Sequence, residues 1–316
     1  MMLVTGGLGF IGSHLVERLL GLGEDVVAVS HPRLGENYLD ELRGVKGEGR
    51  LTVILLDLND FDAVRTVLGR FRPEVVFHLA ALASHRLSVE QPHLFIENNV
   101  RTTLNVLEAA RVTEPSPRVV FASSSSVYGD HQPPLREDMP PRPKGPYALS
   151  KWIGEELCRE YVRTYGLEVV SLRYFNVVGE RCRSNIVFKV FADRISSGEP
   201  VDVNGRTVDG VFRPAERDFT YVGDVVEGTI LAAERGRPGE IYNLGRGEPV
   251  SVMRLAELMM EFMGRRVEVR KRELAPHEAL VSYSDSTKAQ RELGWRPRVS
   301  FEETVRRYVA WYLAKR

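Results

Sequence analysis

A short apolar run, Met2-Leu3-Val4-Thr5, leads straight into glycines spaced Gly6-x-x-Gly9-x-x-Gly12, and these open the amphipathic run Ile11, Leu15, Leu19 and Leu20. Few folds accommodate that order. A strand must turn sharply into a helix, which glycine backbones permit, and the helix N-terminus then presents unpaired N–H groups to the turn. Such a turn lets the backbone approach a pyrophosphate and sets the anion at the positive end of the helix. The same glycines without a strand before and a helix after would read as an ordinary turn. Their context makes them a dinucleotide site.

The rest of the first half repeats the alternation. Strand-like runs at 25–30, 51–56, 75–79, 118–122 and 168–174 are separated by helical patterns, notably at 60–70, 94–112 and 147–165. Near-continuous apolar strands divided by helices imply a parallel sheet covered on both faces, with ligand beyond the strand C-termini. Gly6 to Gly12 follow the first strand, Asp57 the third, Ala80-Ala81 the fourth, and Ser123-Ser124-Ser125-Ser126-Val127-Tyr128-Gly129 the fifth. Beyond about residue 176 the pattern loosens. Segment 180–220 reads as polar loop broken by a helix near 185–197, and further helices are predicted at 223–235, 251–263 and 301–314. Ser300-Phe301-Glu302-Glu303 is a capping box for the last. Pro133-Pro134 and Pro140-Pro141-Arg142-Pro143 predict a stiff surface loop, and the alternation over 265–272 a half-exposed strand.

Tyr147 and Lys151 stand four residues apart, on one face of their helix, where a phenol and an ammonium can meet one ligand. A nearby Lys⁺ favours phenolate over phenol, turning a weak acid into a usable base. A serine hydroxyl from the run upstream can hydrogen-bond the oxygen whose proton moves. Other conspicuous residues read as structural. His14 is expected to pack or cap its helix, His78 to make a buried hydrogen bond, Trp295 to pack the C-terminal half, and Met259, Met260 and Met263 to fill a helix interface.

Composition narrows the classes. The 316 residues carry 43 Lys+Arg against 43 Asp+Glu, so no net field argues for nucleic acid or an anionic membrane. No apolar stretch approaches the ~20 residues that span a bilayer, and no signal-peptide pattern opens the chain. Cys158 and Cys182 make neither a disulfide framework nor a metal site. A soluble, cytoplasmic, metal-free enzyme is expected.

The assembled motifs resemble the extended short-chain dehydrogenase/reductase family, and within it nucleotide-sugar 4-epimerases. Besides the glycine turn, the serine run and Tyr147-x-x-x-Lys151, the matching pieces are Phe77-His78-Leu79-Ala80-Ala81, Leu172-Arg173-Tyr174-Phe175-Asn176 and Arg217-Asp218-Phe219-Thr220-Tyr221-Val222. Ser284-Asp285-Ser286-Thr287-Lys288-Ala289 and Leu293-Gly294-Trp295-Arg296-Pro297 continue the match. The expected fold class is α/β: a doubly wound parallel Rossmann sheet over 1–175, with a smaller and mostly substrate-binding lobe over 176–316 whose boundary is discontinuous. The resemblance implies Tyr147 as acid and base at the sugar 4-position, Ser124 as assisting hydroxyl, and Lys151 on the nicotinamide ribose. It implies cofactor contacts from Gly6, Gly9, Phe10, Ile11 and Gly12, from Asp57 and Leu58, and from Leu79, Ala80 and Ala81. Asn99, Tyr147, Lys151 and Phe175 complete that set. Substrate contacts would come from Ser124, Ser125, Tyr147, Asn176 and Arg217, the last as a charged fork on a diphosphate. The expected substrate is a UDP-sugar, UDP-glucose/UDP-galactose first, with UDP-glucuronate or UDP-N-acetylhexosamines as alternatives. A homodimer through 94–112 and 147–165 is also implied, with Val100, Leu104 and Leu107 as weak support.

Three positions qualify the resemblance. Ser126 stands where 4,6-dehydratases and decarboxylases of the family carry an acidic residue, which favours epimerisation. Members using NAD end the second strand in an acid, whereas here it ends in Ser30-His31-Pro32-Arg33. Arg33 could pair with a 2′-phosphate, so NADP stands nearly level with NAD, and an NADP-dependent sugar or ketone reductase is the rival activity. A non-catalytic cofactor-binding module is the third reading, disfavoured by Ser124, Tyr147 and Lys151 occurring together. Finally, Ala275 falls where epimerases often have a diphosphate-binding arginine, leaving Lys271, Arg272 or His277 as possible substitutes.

Overall fold

Successive residues of the central strands point into opposite cores. Val4, Ala28, Phe77, Val120, Ala122 and Leu172 enter one, while Leu3, Val27, Val76, Val119, Phe121 and Val169 enter the other. A two-residue period with both faces apolar demands helices on each side. The computed structural model describes residues 1–33, 38–45, 47–275 and 278–315. In it β1 (Met2–Thr5), β2 (Val26–Ser30), β3 (Leu51–Leu55), β4 (Val75–His78), β5 (Arg118–Ser124) and β6 (Val169–Tyr174) lie within one residue of their expected bounds, except that β5 runs two residues further into the serine run. The helices between them are α1 (Phe10–Gly21), α2 (Leu39–Arg43), α3 (Phe61–Phe71), α4 (His85–Glu90), α5 (Pro92–Val112) and α6 (Pro146–Tyr165).

The sheet is seven-stranded and parallel, in the order Ile241–Leu244, β6, β5, β4, β1, β2, β3. Its order reverses between β1 and β4, so the strand tips part there and leave a crevice. The edge strand Ile241–Leu244 comes from the second half of the chain and seals that half to the sheet. Helix α1 and Val222–Arg235 feed one core, and α3, α5 and α6 the other. Ser300 caps the helix Phe301–Ala314 by accepting the Glu303 N–H at 3.2 Å.

The second half is less loop-like than expected. Val201–Val208 and Val211–Pro214 form an antiparallel hairpin, and Val269–Glu273 adds in parallel. The two-residue turn Asp209-Gly210 has φ of 52° and 75°, the left-handed pair that a tight hairpin needs. The proline-rich loop is likewise more than a surface strap. Leu135 is buried, its N–H donates to Tyr283 O at 2.9 Å, and its carbonyl accepts from Asp285 N at 2.8 Å. Of the residues named in weak support of a dimer, Leu107 is buried in the core, whereas Leu104 is exposed. Trp295 is buried and donates to Asp224 O at 2.7 Å, and Met259 lies in the same core. Both cysteines are buried and neither forms a disulfide. Among the described residues no helix is long and apolar enough to cross a membrane.

A charged clasp ties α6 to the sheet. Arg173 on β6 donates to Glu155 on α6 through Nε at 2.9 Å and Nη2 at 2.8 Å, and both side chains are almost wholly buried. Ser123 on β5 donates to the same carboxylate at 2.5 Å. Removing one partner leaves an uncompensated charge in the core. Arg173→Met should therefore cost ~3–5 kcal/mol of unfolding free energy, and adding Glu155→Leu should recover part of it. Urea midpoints of the single and double variants measure this, and a strictly additive loss would contradict the pairing.

A second expectation concerns acid. His78 is buried between Thr5 Oγ1 at 2.8 Å and Thr103 Oγ1 at 3.2 Å, and burial, then the charge of Lys151, pulls it down to about 3. The unfolded chain takes up that proton near its ordinary ~6.5, so the stabilisation is intact above that pH and is lost as pH falls through the window. His78→Gln should flatten the fall in stability between about pH 6 and pH 4. An unchanged slope would contradict it.

Candidate active site

Along the C-terminal edge of the sheet the strand tips surround a crevice of about 710 Å³. That is ample for a dinucleotide's reactive half together with a sugar. One end is built by the glycine turn. Gly6 has φ of 68°, and a side chain there would press within 3.0 Å of Ala80 N, so the first and fourth strand tips touch only because that position is bare. A side chain at Gly12 would collide with the Gly6 carbonyl. Helix α1 starts at Gly9 with no side-chain cap, leaving its first N–H groups for an anion. Gly6, Gly9, Phe10, Ile11, Gly12, Ser30, His31, Asp57, Leu58, Leu79, Ala80 and Ala81 all line the crevice. The bare turn and open helix end fit a dinucleotide pyrophosphate.

The other end gathers the acid–base groups. Tyr147 and Lys151, one turn apart on α6, line it with Ser124, Ser125, Asn176 and Arg217. Ser124 closes β5, and its Oγ accepts from Ser126 N at 3.2 Å and Ser126 Oγ at 3.0 Å. The Lys151 ammonium donates to Ala122 O at 2.7 Å and lies 5.1 Å from the Phe121 ring centre. Burial draws Lys151 down to about 8, against the raising influence of Cys158 and Glu155.

Tyr147 and Lys151 share the expected face of α6, but their nearest partners differ. Burial raises the Tyr147 phenol, and what pulls it back is the hydrogen bond to Ser124 and then the charge of Arg183. Lys151 has its ammonium turned to the strand carbonyl instead. Arg183 is anchored by donating to Ala83 O at 2.5 Å and lines the crevice. Nothing in the sequence marked it, because it sits in the polar segment read as loop. His85, Lys144, Ser126, Glu278 and Ser282 also line the crevice and were not expected there as contacts.

Three anticipated contacts lie outside the lining among the described residues. Asn99 is buried and braces the wall, accepting from Leu82 N at 2.8 Å and donating to Leu82 O and Ser150 Oγ at 3.0 Å each. Phe175 is buried in a small core with Val127, Tyr128 and Leu135. Arg33 is exposed, and its backbone N–H donates to His31 Nδ1 at 3.0 Å.

Arg217 makes no ion pair with Asp218 or Glu216 among the described residues. Its Nη1 donates to the carbonyls of Glu216 at 2.9 Å and Leu280 at 3.1 Å, and the residue lines the crevice. Asp218 instead holds the lobe together, accepting from Arg246 N at 2.8 Å, Gly247 N at 3.0 Å and Ser284 Oγ at 2.7 Å. Of the suggested stand-ins near Ala275, Arg272 pairs with Asp202 at 3.1 Å and Lys271 lies over the Phe212 ring, both away from the crevice. His277 lies outside the described residues.

Comparison with known proteins agrees with this arrangement. A family profile described as GDP-mannose 4,6 dehydratase matches residues 3–308. A UDP-glucuronate 4-epimerase of Thermodesulfobacterium geofontis is 33% identical over 316 residues, spanning 98% of this chain and 95% of that protein. The crystal structure of a Thermus thermophilus UDP-glucose 4-epimerase in complex with NAD superposes with a TM-score of 0.88 at 37% identity, covering 99% of this chain and 98% of its own. A double mutant of a Streptomyces venezuelae dTDP-glucose 4,6-dehydratase, solved with NAD, reaches 0.90 at 30% identity over 99% and 97%. The chain therefore belongs to the extended short-chain dehydrogenase/reductase family, in the GDP-mannose 4,6-dehydratase-like group that holds nucleotide-sugar 4-epimerases.

Proposed function

We propose that the protein is a UDP-glucose/UDP-galactose 4-epimerase working with bound NAD as a homodimer in the cytoplasm. The observation that carries this reading is the meeting of Tyr147, Ser124 and Lys151 at one end of a crevice whose other end is a bare glycine turn. The turn and the start of α1 hold the pyrophosphate, and Arg217, which lines the crevice, holds the substrate diphosphate. Tyr147 takes the proton of the sugar 4-hydroxyl and later returns one to the same oxygen, with Ser124 hydrogen-bonded to it throughout. A bound nicotinamide ring supplies reversible acceptance of hydride from the sugar C4. Net redox is zero. Burial favours the neutral phenol, so every positive charge brought into the crevice, Arg183 included, helps Tyr147 act as a base. Ser126, a hydroxyl bonded to Ser124, supplies no carboxylic acid for elimination across C5 and C6, which separates this reading from dehydration.

Arg183 motivates a second reading, UDP-glucuronate as substrate. Its cationic head at the sugar end suits a sugar carboxylate better than a hydroxymethyl group.

Conversion of UDP-galactose to UDP-glucose without added cofactor tests the first reading. Tyr147→Phe should lower kcat by about 10²–10⁴-fold and leave KM within a few-fold. A normal turnover by that variant, or stoichiometric consumption of NADPH with a keto sugar, would contradict it. The substrates are separated by kcat/KM for UDP-galactose and UDP-glucuronate. Arg183→Ala should lower the UDP-glucuronate value at least about tenfold more than the other if the carboxylate is bound there, and equal losses would refute that role.

A further inference from the structure

The chain turns sharply after Val177–Val178, where Cys182 N donates to Gly179 O at 3.2 Å. Gly179 has no room for a side chain, since a Cβ there would lie 2.7 Å from Val222 Cγ1. Arg181 takes the third place of that turn with φ of 60°, a left-handed backbone that ordinarily calls for glycine. Such strain persists only where surrounding contacts impose it, and it clusters at functional sites. Here the contacts come from α1. The Arg181 side chain, 7% exposed, donates through Nη2 to His14 Nδ1 at 2.7 Å and to the Glu17 carboxylate. A guanidinium can only donate, so Nδ1 is the acceptor, and His14 Nε2 carries the hydrogen that reaches Glu180 O at 2.9 Å. Burial, then the Arg181 charge, pulls His14 down to about 3, so the ring stays neutral and keeps that tautomer. One imidazole thus grips the turn twice, by a backbone carbonyl and by the next side chain.

The grip joins two parts of the crevice. His14 stands one helical turn after Phe10, which lines the crevice at the glycine turn. Arg183 follows Arg181 by two residues, lines the crevice and donates to Ala83 O at 2.5 Å. Neither His14 nor Arg181 lines the crevice itself. We propose that His14 and Arg181 are positioning residues that act through Arg183, fixing where its guanidinium enters the crevice. This rests on the catalytic reading above and adds residues that serve it from outside the site. The Ala83 carbonyl holds the far end of the Arg183 side chain, the turn holds its near end, and α1 holds the turn. A misplacement of about 1 Å can cost on the order of 100-fold in rate, so a loosened turn should register in turnover. The helix that opens on the glycine turn thereby also sets the cation that favours the Tyr147 phenolate.

The test is a pair of double-mutant cycles read as kcat at saturating UDP-galactose. Arg181→Gly deletes the grip but suits the left-handed turn, and His14→Ala deletes it from the α1 side. Each should lower kcat at least about fivefold, as Arg183→Ala itself should. In an Arg183→Ala background each should cost less than about twofold, because the side chain they serve is gone. His14→Gln, which offers one acceptor and one donor, should recover most of the His14→Ala loss. Circular dichroism checks that the variants fold, and should Arg181→Gly not fold, the His14 cycle decides. Equal losses with and without Arg183, undiminished kcat in the single variants, or no recovery by His14→Gln would overturn the proposal and leave the catalytic reading standing. A wild type unable to convert UDP-galactose would overturn both.

Discussion

One buried contact fixes the chemistry of the crevice: the carboxylate of Glu155, gripped by Arg173 at two points and by Ser123 at a third. Ion pairs in a core lose their hydration, and that loss is offset only when geometry and hydrogen bonding are nearly complete. Here the guanidinium binds in a fork, and its carbon lies 4.5 Å from the centre of the Tyr128 ring. Glu155 sits one helical turn after Lys151 and two after Tyr147, on the same face of α6. Ser123 precedes Ser124, and Ala122, whose carbonyl receives Lys151, precedes Ser123. The clasp therefore sets the distance from phenol and ammonium to the serine that must assist them. That is positioning through a rigid first element, which catalytic geometry requires.

The second constraint is closure from across the chain. The edge strand Ile241–Leu244 joins the sheet, and Asn243 donates to the carbonyls of Leu135 at 2.9 Å and Asp285 at 3.1 Å. The loop between the serine run and Tyr147 is thus tied to the lobe that carries Arg217. Asp218, the neighbour of Arg217, holds that lobe's own turns. The two ends of the crevice are accordingly parts of one framework, and Arg217 lines it without an ion pair to Glu216 or Asp218 among the described residues.

Much of this was legible in the residues. Apolar strands alternating with helices dictated the parallel sheet, and the motifs fell at strand tips because only the tips are open. What escaped notice depends on contacts between distant segments. Asp209-Gly210 is a hairpin signal set inside a polar stretch. Arg183 carries no local signature and matters only because the segment after β6 folds back over Ala83. Leu107 faces the core because α5 is covered on more than one side, and Phe175 packs inward although the resemblance implies a cofactor contact and its neighbour Asn176 lines the crevice. The sequence spacing of Tyr147 and Lys151 was right, but spacing cannot tell where an ammonium turns when a strand carbonyl competes for it.

The most direct measurement of the central claim is a crystal structure of the protein with NAD and UDP-glucose. The account predicts the Tyr147 hydroxyl within about 2.6–3.2 Å of the sugar 4-hydroxyl, with Ser124 on the same oxygen. A well-ordered sugar whose 4-hydroxyl meets some other side chain, with Tyr147 beyond hydrogen-bond reach, would contradict it.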